Sequence, residues 1–241
     1  MAVAALAFMC SDLSHEALGH GIAAFFCDAK VIVLSYTYLS SDLRSKWISA
    51  AGPMVSLVEG LLAALALRTL RLSPTATLFV FLLAAFGLLN AASYLVYSGA
   101  TNSGDLAVVI EGWAFQAALR VLMVIMGMAL YGVATAYLGV EAGRFVAPRH
   151  SLAVMAYCAP IVLMAGAALF NPLGLRLFLI SALPASALAN LALLWLPRLA
   201  ASAPPHALQR VVLNSPGWIV ACACLSAGFI LVIGPGVNLR G

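Results

Sequence analysis

SHEALGHG, residues Ser14 to Gly21, sets two histidines and a glutamate in the middle of an otherwise apolar segment. Imidazole and carboxylate are the side chains that hold divalent metals. Ionisable groups at the centre of a bilayer-crossing helix cost about 2.5–3.5 kcal/mol each on insertion scales, so they need a partner or a task. With Asp12 one turn earlier, the costly groups fall within residues 12–20. The register is unusual. On an ideal α-helix, residues five apart are separated by roughly 140°, too wide for His15 and His20 to share an ion. Two geometries repair this. A π-bulge would bring i and i+5 onto one face, and such bulges recur at functional sites; Gly19 would ease the distortion. Alternatively, Glu16 and His20 lie four apart on one face and would ligate together. Both keep a metal, and the residues alone leave both open.

The rest of the chain explains the setting. Of 241 residues, 64% are hydrophobic and only 8% charged, with a mean hydropathy of +1.08. Soluble domains carry about 25% charged residues, so this chain lacks the polar surface to face water. Apolar runs of helical length recur, and helices satisfy their own backbone inside lipid. The expected fold is an all-α polytopic membrane protein of six or seven transmembrane helices, in contact with membrane lipid. A bacterial inner (cytoplasmic) membrane is the expected location. The net charge of +4 is spread over short loops and does not point to nucleic acid. The first segment has no basic start and carries the polar cluster, so it is not a simple signal peptide. Five cysteines (Cys10, Cys27, Cys158, Cys222, Cys224) lie in or beside apolar runs and read as buried reduced thiols; Cys222 and Cys224 point apart on a helix.

Spans are expected at about 2–27, 48–67, 76–97, 151–170, 175–196 and 217–234. Residues 105–140 are too long for one upright span, and read as a short helix followed by a full span or as one tilted helix. The break before the third span is Ser73-Pro74; SGATNSGD (98–105), 141–150 and 197–210 read as loops. VIVLSYTYL, 31–39, is rich in β-branched and tyrosine residues and reads as a strand or hairpin at the membrane face.

A metal needs a third protein ligand. Asp105 follows a Gly-rich turn and opens a helix, which makes it the best candidate; the helix dipole alone would also favour an acid there. Glu111 is expected one or two turns deeper, and Arg120 is one candidate partner for Glu59 on the second span, which the residues alone do not show.

These features, taken in order, resemble the site-2 protease family of intramembrane zinc metalloproteases. HEALGH lies in an early span, a β-prone stretch follows, and AAGPMVSLVEG (50–60) is similar to that family's Gly-Pro-x-x-Asn helix start, with Ser56 where Asn is usual. Asn90 then precedes a Gly104-Asp105 pair, with NSGDL in place of the usual Asn-Pro-x-Asp-Gly loop. The histidines stand five apart where the family has four. The resemblance covers 1–115, a metalloprotease-like core; 116–241 are additional transmembrane helices in the same membrane domain. It implies one Zn²⁺ held by His15, His20 and Asp105 with an open fourth position. It also implies Glu16 as general base and Asn90 or Ser56 as support for the backbone or oxyanion. The 31–39 strand would hold an unwound transmembrane-helix substrate. Two other classes stay in view. One is a non-proteolytic relative serving as a structural or regulatory subunit of a membrane complex, suited by small-residue helices. The other is a different membrane metalloenzyme, or an ion pathway through Asp12, Glu16, His20 and Glu59.

Overall fold

In the computed structural model, residues 1–143, 149–201 and 216–239 are described. The centres of the loops expected at 141–150 and 197–210 lie outside them. Helix α1 (Ala2–Leu13) runs straight into a π-helical segment (Ser14–Gly21) and a last α-helical stretch, α2 (Ile22–Phe26). Next come strands β1 (Val31–Leu34) and β2 (Leu39–Ser41), then helices α3 (Lys46–Thr69), α4 (Pro74–Thr101), α5 (Asp105–Ile110), α6 (Gln116–Ala142) and α7 (Arg149–Phe170). The chain continues as α8 (Gly174–Leu177), an irregular helical run to Leu194, α9 (Leu196–Ala201), α10 (Pro216–Gly228) and a π-helical turn (Phe229–Ile233). Strand β3 (Val237–Asn238) ends the described chain.

Among the described residues, five helices are long and apolar enough to cross a membrane: Lys46–Thr69, Pro74–Thr101, Gln116–Ala142, His150–Phe170 and Gly174–Ala200. A shorter apolar helix covers Ile219–Ile233. The chain is a helical membrane protein. The exposed side chains of α6, such as Val121, Ile125, Met128 and Val133, are those a lipid-facing helix presents.

Local chemistry sets the boundaries. Ser45 caps α3 by accepting from the Trp47 N–H, and Ser73 caps α4 by accepting from the Ala76 N–H, with Pro74 in the first turn. The loop expected at 98–105 is shorter than its composition suggests. Ser98 to Thr101 stay helical, and Asn102 ends α4 in the left-handed conformation (φ 54°). Packing overrides turn propensity there, because Gly99 lies against the backbone of Arg120 on α6. Residues 105–140 divide into α5 and α6, separated by Gly112 and Phe115 at positive φ.

The hairpin expected at 31–39 forms, but its second strand begins at Leu39 and runs to Ser41. β3 adds to the other side of β1, giving an antiparallel sheet in the order β2-β1-β3. Asn171, 6% exposed, ties this sheet to the helices by donating to Ser35 Oγ (3.2 Å) and the Gly234 carbonyl (2.7 Å).

The span expected at 175–196 is broken. It passes through two π-helical pieces, Phe178–Ala182 and Pro184–Leu188, into a 3₁₀ turn at Leu191–Leu194. Pro184 removes a donor, and polar side chains satisfy the freed groups. Ser186 donates to the Ala182 carbonyl, and Asn190 donates to those of Ala185 and Ser186. Tyr131 donates to the Ala189 carbonyl and accepts from the Ala192 N–H. All five cysteines are free thiols, but only Cys222 is fully buried and Cys224 is exposed; the expectation of uniform burial gives way to lipid-facing and half-covered positions.

One buried apolar core joins both ends of the chain, from Val3 and Phe8 through Phe86 to Leu163 and Phe229. Phe8 and Phe86 meet edge to face at 5.3 Å. α3 and α4 approach closely at Gly60 and Gly87, where a Cβ on Gly87 would lie 2.7 Å from the Gly60 nitrogen and the Ser56 carbonyl. Gly87→Val should therefore force the pair apart and cost about 1–3 kcal/mol. The thermal unfolding midpoint of the micelle-solubilised protein reads this, and an unchanged midpoint would contradict the contact.

Candidate metal centre

The π-helical segment coincides with SHEALGHG. Its wider turn brings i and i+5 together, and His15 and His20 stand with ring centroids 5.0 Å apart at 80°. Both are nearly fully buried, 2% and 5% exposed. Asp105, first residue of α5 after Gly104 at φ 80°, reaches both imidazoles: its Oδ2 is 3.5 Å from His15 Nε2 and 3.5 Å from His20 Nε2. Candidate ligand atoms of these three residues lie within 4.8 Å of one another.

The far side of each imidazole is anchored by α3. His20 Nδ1–H donates to the Ile48 carbonyl at 2.6 Å, which leaves Nε2 with its lone pair facing the site. His15 Nδ1 bonds Ser56 Oγ at 2.9 Å, and Tyr94 stacks on the ring at 4.9 Å. His15 Nε2 itself is buried with no hydrogen bond among the described residues. An outer partner on Nδ1 with a bare Nε2 is the arrangement that orients a metal-ligating histidine. Burial alone would raise the Asp105 carboxyl, but its contacts with His15 and His20 outweigh that and hold it below the usual carboxylate range.

α3 can come this close because it is stripped of side chains at the contact. A Cβ on Gly19 would be 2.7 Å from the Gly52 Cα. A Cβ on Gly52 would sit 2.6 Å from His15 Nε2 and closer still to His20 Nε2. Gly52 thus keeps open the space in front of both nitrogens. The donor set of two imidazoles and a carboxylate, the bare Nε2 and this cradle fit a divalent metal such as zinc.

Glu16, 3% exposed, stands beside the triad, and its Oε2 is buried with no hydrogen bond among the described residues. It shares a pocket of about 240 Å³ with His20, Asp105 and the hairpin residues Tyr38 to Ser41. A larger cavity of about 500 Å³ also borders Asp105 and has Asn90, Tyr94 and Tyr97 in its wall.

The remaining polar residues are placed as follows. Ser56 holds the His15 ring, whereas Asn90 faces the cavity. Glu59 does not turn to Arg120: it accepts from Ser11 Oγ (2.9 Å) and Ser14 Oγ (3.2 Å), stapling α3 to the start of the π-segment. Arg120 instead donates to the Gly99 and Ala100 carbonyls. Glu111 is not deep, because α5 ends before it; it lies exposed at the surface and pairs with Arg44 at 2.8 Å. Gly52, Ile48 and Tyr94 were not legible as site residues. Only the Gly-Pro pair at 52–53 signals a close backbone approach there.

Compared with known protein families, curated proteins and solved structures, the chain matches none. The site's chemistry therefore rests on its own geometry. Gly52→Ala removes no donor but fills the space before both Nε2 atoms. It should lower divalent-metal affinity at least about tenfold, within the range for disturbed ligand surroundings. Competition with a chelating dye measures this, and unchanged affinity would contradict the cradle.

Proposed function

We propose that this chain is an intramembrane zinc metalloprotease-like protein of the site-2 protease type, hydrolysing peptide bonds within or near a bacterial inner membrane. The observation that carries this reading is the convergence of His15 Nε2, His20 Nε2 and Asp105 Oδ2 beside the buried carboxylate of Glu16. The five long apolar helices are joined as spans by the helical run from Ala2 to Phe26 and by the shorter Ile219–Ile233 helix, making seven.

His15, His20 and Asp105 would hold one zinc ion, which would supply a Lewis acid for the scissile carbonyl and lower the pKa of water. The protein's own groups do the rest. Glu16, buried beside the triad, takes a proton from the attacking water and returns it to the departing amine nitrogen. A peptide bond inside a helix is already hydrogen-bonded and shielded, so a transmembrane substrate must be extended first. β2 lies at the edge of the sheet, and Leu39 to Ser41 share a pocket with Glu16, His20 and Asp105. A substrate strand added to that edge lies along the site. Ser56 keeps His15 in register, and Asn90 on the cavity wall is placed to steady a substrate carbonyl.

The test is Glu16→Gln in the full chain in micelles, with a fluorescein-labelled unfolded casein as probe. The variant should keep its zinc and lose cleavage by roughly 10²–10⁴-fold, the usual contribution of a general base, and a zinc chelator should silence the intact protein. Zinc bound without Glu16-dependent cleavage would contradict proteolysis and favour a metal-bearing, non-cleaving subunit of a membrane complex.

A further inference from the structure

A second, much smaller pocket of about 10 Å³ lies against Glu16, enclosed by side chains from four separate parts of the fold. Asp12 comes from α1, Thr37 from the turn between β1 and β2, and Asn90 from α4. Asn190 comes from the point where the broken helix changes from π to 3₁₀ geometry. Each brings an oxygen that is buried and without a hydrogen bond: Asp12 Oδ2, Thr37 Oγ1, Asn90 Oδ1 and Asn190 Oδ1. Asn190 is 1% exposed, and its amide nitrogen is committed to the Ala185 and Ser186 carbonyls, both at 3.1 Å. That commitment fixes which end of the amide is left free, so its orphaned group is the acceptor oxygen.

Glu16 Oε2, in the wall of the same pocket, is also buried without a hydrogen bond. Buried acceptors with no donor are costly, and here four, on Asp12, Glu16, Asn90 and Asn190, line one pocket with the Thr37 hydroxyl. A pocket of this size holds about one water-sized particle. A single water has two protons to donate and the Thr37 hydroxyl one, too few for the two carboxylates and the two amide oxygens together. A cation satisfies all of them at once. Mg²⁺ keeps several of its waters, and Ca²⁺ takes roughly 6–8 oxygens; the pocket has room for neither arrangement. With the Asp12 and Glu16 carboxylates both lining the pocket, charge does not choose the ion; the small volume does, and it favours a singly charged ion that gives up its waters. Discontinuous helices inside membranes are where such ions are held, and Asn190 sits in one.

We propose that Asp12, Thr37, Asn90 and Asn190 form a binding site for one dehydrated monovalent cation of sodium's size. The ion reaches it from the larger cavity, whose wall also contains Thr37 and Asn90. Bound there, it ties α1, the hairpin, α4 and the broken helix together beside Glu16. The site needs no zinc and no proteolysis, so it stands or falls apart from the reading above.

The experiment is equilibrium binding of radioactive ²²Na⁺ to the purified full chain in nanodiscs, with choline chloride holding the ionic strength. Saturable binding of one Na⁺ per chain is expected, displaced by unlabelled Na⁺ and not by choline. Asp12→Asn should weaken it by about tenfold or more, because affinity follows the charge of the ligand set. Thr37→Val removes one oxygen from a turn where that oxygen makes no hydrogen bond, and should also weaken binding, which keeps the test decisive if Asp12→Asn fails to fold. No saturable binding in the intact chain, or an affinity unchanged by Thr37→Val, would overturn the site and leave a water in its place.

Discussion

The structure depends on one departure from α-helical geometry. For the eight residues from Ser14 to Gly21 the first helix widens to π pitch, and this alone puts residues five apart on one face. In α-helical register His15 and His20 would diverge by roughly 140°, and one of them would be left buried without a role. The wider turn is held from outside. Gly19 and Gly52 let α3 touch the π-segment backbone to backbone, and from that contact Ile48 and Ser56 grip the two imidazoles. Glu59, two turns from Gly52 on the same helix, ties the start of the segment through Ser11 and Ser14. Asp105 completes the group from α5.

The same economy of polar groups runs through the fold. Lipid offers no hydrogen bonds, so each irregularity in the helices is matched by a side chain placed to satisfy it. Tyr131, Ser186 and Asn190 do this along the broken helix, Asn171 does it where the sheet meets α7, and Arg120 does it at the end of α4. Arg68 reaches back to the buried Glu141 at 3.3 Å and lies over the Tyr137 ring, joining α3 to α6. Among the described residues, buried polar atoms without a hydrogen bond are concentrated around Glu16, where the fold has cavities.

Much of this was legible in the residues. Long apolar runs give the helices directly, and Ser-Pro at 73–74 marks the start of α4. The five-residue spacing of His15 and His20 left two geometries, a π-turn or a Glu16–His20 pair, and the folded chain takes the first. What escaped was decided by tertiary contact. Ser98 to Thr101 have turn composition but stay helical because Gly99 packs on α6. Residues 175–196 have the composition of a plain span but break, because the donors and acceptors that rescue the break come from α6 and from Asn190 itself. β3 is two residues long, too short to carry a periodic signal. The partners of Glu59, Ser11 and Ser14 and not Arg120, could not be read because sequence distance says nothing about which helix face meets which. Gly52 is visible as a glycine, but its task of clearing space for two imidazoles exists only once the helices are packed.

The central claim is that His15 and His20, brought together by the π-turn, share one metal ion with Asp105. Zinc K-edge X-ray absorption on the purified full chain tests it most directly. The account predicts imidazole nitrogens and a carboxylate oxygen at about 2.0–2.2 Å, with one imidazole missing from the spectrum of His20→Ala. A chain that carries no stoichiometric zinc when purified without chelators, or a spectrum unchanged in His20→Ala, would contradict it.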